Sequence, residues 1–263
     1  MRDAYTFVTG FINLHDLEDR PTTKTMDEYM NHCLPLLTSG APFVLFCHET
    51  YVDKIVQMLS SSNGSSSNVH IIPFSVGDLK HNTPDFFRAT LPKMRYNEKD
   101  THWYMATQLQ KAYWLEQAAR ANPYHTTHYC WVDFGINHIM NKTPNDFARM
   151  LRVVPLTDTV TIGSQYFPSQ GIPDRLEFFN KFHSVLLGGV IALPREQVKW
   201  FADTQEATVN RVLQTDKMVV WETTIWVLMV FDDPLRFSLY PAMFNESILT
   251  HIVHNHRLSV GKA

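Results

Sequence analysis

Thr126-Thr-His-Tyr-Cys-Trp-Val-Asp-Phe-Gly-Ile136 is a run of seven apolar or β-favouring residues that ends in one acid, Asp133, with a glycine two places on at Gly135. A buried strand that shows a carboxylate at its C-terminal end carries a cost unless that carboxylate has a partner. In open α/β sheets, ligands bind outside the carboxyl ends of the strands, so an acid is useful there. Gly135 can take φ > 0 and lets another group come close to the backbone. An acid in this place can also cap the next helix or turn, and the residues alone leave both uses open.

Upstream, Tyr5 to Ile12 reads as a first buried strand, and Met26 to Leu37 carries apolar residues at helical spacing with Gly40 beyond its end. Phe43 to Cys47 is a second strand, Val52 to Leu59 a second helix, and Val69 to Phe74 a third strand. This alternation predicts an α/β fold with a Rossmann-like, mostly parallel central sheet flanked by helices. Ser60 to Asn68 is a polar surface loop, and Gly77 to Thr101 is irregular and charged, wrapping the surface near the sheet's edge. Trp103 to Asn122 is the longest clear helix. Thr143-Pro144 caps another helix, and strands follow at Val160–Gly163 and Val185–Leu193. A long helix runs from Pro194 to about Gln214, and Trp221 to Phe231 is a helix or buried segment. With no internal repeat and no linker, residues 1–263 are expected to form a single domain.

Composition narrows the class. The chain is 44% hydrophobic and has a formal net charge of −3, so it has ample core and no basic excess of the kind that marks a nucleic-acid partner. Three cysteines without CxxC spacing read as buried free thiols in a reducing compartment. The first residues enter a strand without passing through an apolar signal core, and no apolar run is long enough to span a bilayer. A cytoplasmic location is the expectation.

Further candidates for chemistry stand beside Asp133. Gly188-Gly189 interrupts an apolar strand and marks either a bulge or a close approach of ligand or backbone. Glu222 lies between Trp221 and Trp226 in an apolar segment, so it needs a raised pKa or a fixed cation. It is a candidate general base, or else one half of a structural ion pair with lysine or arginine. His251, His254 and His256 close the chain, and spacing of three puts the first two on one helical face, where a metal could sit. With 13 histidines in the chain, chance proximity explains such a cluster equally well. Asp133-Phe-Gly copies the kinase tripeptide, yet the Gly-rich and catalytic loops of kinases are absent. There is no GxGxxG, P-loop, GxSxG or His-Glu-x-x-His.

The strand with Val8-Thr9-Gly10-Phe11, then Lys111 early in a helix, then Asn122-Pro-Tyr124 and Trp131-Val-Asp-Phe-Gly-Ile136 resembles the bacterial HtrL/YibB family, which is similar to the GT-A glycosyltransferases. Gly188-Gly189 and Glu222 fall where such proteins carry a glycine-rich strand and an Asp-Glu pair. The resemblance implies a GT-A-like domain that moves a sugar from a nucleotide-sugar donor, UDP-linked as the first choice, to a glycan or other hydroxyl acceptor. Asp-x-Asp of that superfamily reads Asp133-Phe-Gly135 here, and its Asp-Glu pair reads Trp221-Glu222. Donor contacts are expected from Thr9, Gly10, Arg20, Lys111, Asp133, Gly135, Gly188 and Gly189. Glu222 is expected as base in an inverting transfer. The leaving diphosphate needs neutralising, either by Mn²⁺ or Mg²⁺ on Asp133 and His254 or by Arg20, Lys111 and the basic stretch around Arg95. A non-catalytic carbohydrate- or nucleotide-binding protein is the alternative, and a phosphoryl- or nucleotidyl-transfer enzyme the third reading.

Overall fold

The computed structural model describes residues 4–18, 25–61, 68–166, 172 and 174–254, with side chains as far as Ile252. Among the described residues seven strands form one sheet: β1 (Tyr5–Phe11), β2 (Phe43–His48), β3 (Val69–Phe74), β4 (His128–Val132), β5 (Val160–Ser164), β6 (Leu186–Pro194) and β7 (Phe237–Pro241). Across the sheet the order is β3-β2-β1-β4-β6-β5-β7. The first four of these are parallel to one another, β6 runs against both of its neighbours, and β7 is parallel to β5. The expected class, a mostly parallel sheet flanked by helices, is what the chain adopts.

The helices are α1 (Met26–Leu37), α2 (Val52–Ser61), α3 (Pro84–Arg88), α4 (His102–Ala121), α5 (Asn137–Met140), α6 (Pro144–Arg152), α7 (Arg175–Phe179), α8 (Arg195–Thr215), α9 (Glu222–Asp232) and α10 (Ser247–Thr250). Side chains alternate across a strand. In β4, Tyr129 and Trp131 therefore join the core under α4, α8 and α9, while Cys130 and Val132 join the core under α1, α2 and α6. Burial on both faces explains why this strand reads as a continuous apolar run. The three cysteines are free and buried, and burial pushes the Cys47 thiol up to about 12.

Helix α4 positions the site. Thr101 caps its start by accepting from the Tyr104 N–H, and Asn122 ends it in the left-handed region at φ 39°. It lies between the sheet and the helices α8 and α9, so it is buried nearly all round. Buried amides hold that layer together: Gln205 Nε2 donates to Leu109 O at 2.7 Å, and Trp226 Nε1 donates to Gln205 Oε1 at 2.8 Å.

Several expectations change. Strand β7 is absent from the sequence reading; it has 5 residues, ends in proline and pairs only with β5, so its pattern is short and weak. Helix α8, with 21 residues, is longer than α4, with 20. Lys111 is the tenth of the 20 residues of α4, at its middle and not early in the helix. Gly135 does not use positive φ; among the described glycines only Gly40 does, at 82°. The 89–100 stretch is tied down by backbone bridges from Thr90 to Met218 and from Met94 to Lys181.

Candidate active site

At the carboxyl end of β4, a cavity of about 250 Å³ opens beside the start of β6 and the first residues of α9. That is the edge where an open α/β sheet binds ligands. Asp133 follows β4 directly, and its N–H donates to Gly189 O at 2.9 Å, extending the β4–β6 ladder by one step. Between the Ile162–Ile191 and Ser164–Leu186 pairs, β6 holds more residues than β5, so it bulges around Gly188 and Gly189.

The bulge makes room for an ion cluster. Lys111 reaches in from α4 and is only 3% exposed. Its ammonium donates to Asp133 Oδ1 at 3.0 Å, Glu222 Oε1 at 3.1 Å and Gly188 O at 3.0 Å. Trp131 Nε1 donates to the same Asp133 oxygen at 2.7 Å, and the Trp131 ring lies 5.8 Å from the ammonium. A Cβ at Gly188 would stand 2.4 Å from Glu222 Oε1 and 3.3 Å from Lys111 Nζ, so only glycine lets the pair close. Gly189 is also confined, with Ile248 Cδ1 2.9 Å and Ile136 Cδ1 3.1 Å from its would-be Cβ.

Electrostatics follows from that packing. Burial works to discharge Lys111, but the charges of Asp133 and Glu222 and the hydrogen bonds to them outweigh it, and its pKa stands above the usual lysine value. Tyr104, one helical face with Lys111, is pushed well above the ordinary phenol range by burial and then by Glu222, Asp100 and Asp133. It therefore stays a protonated donor. Asp133 keeps Oδ2, and Glu222 keeps Oε2, without a partner among the described residues.

Lys111, Asp133, Gly188, Gly189 and Glu222 thus come together around one cavity. Thr9 and Gly10 do not line it. Thr9 is fully buried, and a Cβ at Gly10 would lie 2.3 Å from the Trp114 ring, so this glycine admits a core tryptophan. Gly135 has open space around it and offers its carbonyl to His138 Nδ1 at 2.6 Å. Arg20 lies outside the described residues, and so do the His254 side chain and His256; His251 contacts the Pro241 carbonyl. Glu222 has the lysine partner that the ion-pair reading requires. The sequence reading missed Tyr104, Gln108, Asp100 and the aromatic rim of Tyr96, Phe182 and Phe244. One signal was there: Tyr104, Gln108 and Lys111 recur at helical spacing, which puts them on one face of the helix.

The divalent ion that the resemblance implies does not fit these residues. Asp133 Oδ1 is taken by two donors, and an ammonium stands between Asp133 and Glu222. Among the described residues no three Asp, Glu, His or Cys side chains converge on a point.

Residues 3–245 match the model of a family described as a bacterial protein of unknown function, HtrL_YibB. The chain belongs to that family. No curated protein matches it. Among solved structures it is similar to mouse xyloside xylosyltransferase 1, with 10% identity, 89% of this chain and 84% of that chain covered, and a TM-score of 0.48. It is also similar to a glycosyltransferase involved in the glycosylation of the major capsid of PBCV-1, at 10% identity, 90% and 81% coverage and TM-score 0.43. A third is 4-diphosphocytidyl-2C-methyl-D-erythritol synthase of Anaerococcus prevotii, at 10% identity, 94% and 90% coverage and TM-score 0.41. None of the described helices is long and apolar enough to cross a membrane.

Proposed function

We propose that this chain is a glycosyltransferase that moves a sugar from a nucleotide-sugar donor, UDP-linked as first choice, to a hydroxyl of a glycan or glycoconjugate. The observation that carries this reading is the convergence of two carboxylates, each with one oxygen unpartnered among the described residues, in a cavity at the carboxyl edge of the sheet. Aromatic side chains at its mouth suit the apolar faces of sugar rings; Tyr96 is 73% exposed and Phe244 48%.

The chemistry runs through the chain's own groups. The acceptor hydroxyl donates its proton to Glu222 Oε2 while Lys111 holds Oε1 and fixes the carboxylate's orientation. The acceptor oxygen then bonds to the anomeric carbon, the bond to the diphosphate breaks, and the nucleoside diphosphate leaves with the electron pair. Attack from the side opposite the leaving group inverts the anomeric centre. Asp133 Oδ2 is available to orient a sugar hydroxyl. Tyr104, held protonated, donates a hydrogen bond within the cavity, and Lys99 on the wall favours the diphosphate.

One observation favours the non-catalytic binding reading: both carboxylates already share a buried lysine, as in a structural ion pair. Incubation with a panel of nucleotide sugars separates the readings. Release of a nucleoside diphosphate with transfer or slow hydrolysis supports the transferase. A ligand that raises the melting temperature without turnover supports the binding protein, and release of pyrophosphate supports nucleotidyl transfer.

A further inference from the structure

Lys111 Nζ is surrounded by a carboxylate oxygen of Asp133 at 3.0 Å, a carboxylate oxygen of Glu222 at 3.1 Å and the carbonyl oxygen of Gly188 at 3.0 Å. Carboxylates and a backbone carbonyl around one buried point are the ligand set that hard divalent cations take. The ammonium meets that set with three donors and one fixed charge, in a space that glycine alone at position 188 leaves open. An ion placed beside the ammonium would meet its repulsion and would find Asp133 Oδ1 already bonded by Trp131.

We propose that Lys111 is the resident cation of this site: its ammonium fills an oxygen cage of the divalent-metal type, the cavity therefore needs no divalent ion, and truncating Lys111 turns the cage into a metal site. Closing the three oxygens onto an ion requires each to move inward by roughly 0.5–1 Å, which the bulged strand and the first turn of α9 can supply. The consequence for turnover, insensitivity to chelators, rests on the glycosyltransferase reading. The cage itself does not, so metal binding is measured without any donor or acceptor.

The test is Mn²⁺ titration of the purified chain, followed by electron paramagnetic resonance and by melting temperature, for wild type, Lys111→Ala and Lys111→Ala/Glu222→Gln. Wild type should show no saturable Mn²⁺ binding and the same melting temperature in EDTA as in Mn²⁺. Lys111→Ala should take up one equivalent of Mn²⁺ and gain roughly 5 °C at saturating metal, and the double variant should lose that gain. Stoichiometric Mn²⁺ binding by wild type overturns the inference, and so does a folded Lys111→Ala protein that ignores Mn²⁺. If Lys111→Ala folds only when Mn²⁺ is present, the inference is supported. If it folds in neither condition, the wild-type titration decides alone.

Discussion

At Gly10 of β1 and at Gly188 of β6 the sheet gives up a side chain so that α4 can come close, and the two approaches differ in kind. Gly10 admits the Trp114 ring, which stacks between Phe46 and Trp131 with centroids 5.6 and 5.9 Å away. That contact is apolar, and a shifted ring loses only packing. Gly188 admits the Lys111–Glu222 pair, whose three hydrogen-bonding oxygens leave the ammonium no alternative partner. Trp114 lies three positions after Lys111 on the same helix. One helix thus fastens the core at one point and sets the geometry of the cavity at the other.

The comparison breaks first at Lys111. Lys111→Met leaves the buried Glu222 carboxylate facing the half-exposed Asp133 without a cation, and removing one partner of a buried pair costs about 3–5 kcal/mol. The urea midpoint should fall accordingly, and Lys111→Met/Glu222→Gln should recover part of the loss. Equal midpoints for Lys111→Met and wild type would show that the cluster contributes nothing to the fold.

A second break lies two positions along α4, where Tyr113 contacts His81. This imidazole is 5% exposed and stacks on Phe86, and burial, followed by the charge of Lys80, lowers its pKa to about 4. The unfolded chain holds it near 6.5. Between those values the unfolded state binds more protons, so stability is present above pH 6.5 and is lost as pH falls toward 4. The loss approaches about 3 kcal/mol. Denaturant midpoints measured across that range should slope for wild type and flatten in His81→Gln; identical slopes would remove His81 from the account.

The smallest effect sharpens the contrast between the glycines. Gly10→Ala forces a Cβ to within 2.3 Å of Trp114 and should cost about 1–3 kcal/mol, as overpacking does. Donor affinity of the folded variant should be unchanged. Weaker donor binding at full stability would return Gly10 to the donor-binding role that the resemblance implies.

How far the sequence could be read follows the same division. Strands β1 to β6 and helices α1, α2, α4 and α8 were legible because burial on one or two faces leaves an apolar pattern, α6 was legible from its Thr143-Pro144 cap, and α9 only as a helix or buried segment. β7 was not, since five residues ending in proline leave little pattern. Asp133, Gly188, Gly189 and Glu222 were legible as residues out of keeping with their surroundings, and Lys111 only through the resemblance. Their convergence was not: Lys111 meets Glu222 across 111 positions, and spacing carries no information at that range. Glycines were ambiguous for a related reason. Sequence does not distinguish a glycine needed for φ, as at Gly40, from one needed for space, as at Gly10 and Gly188.

The proposed role of Glu222, taking the acceptor's proton, is tested most directly by the kcat of Glu222→Gln with whichever nucleotide sugar wild type uses. Glutamine keeps the shape and the Lys111 hydrogen bond through its carbonyl oxygen but cannot accept the proton as a carboxylate does. A fall in kcat of roughly 10²–10⁴-fold with donor affinity nearly unchanged is the predicted result. Wild-type kcat in the folded variant, with the loss confined to stability, would contradict it and leave Glu222 as an ion-pair partner alone.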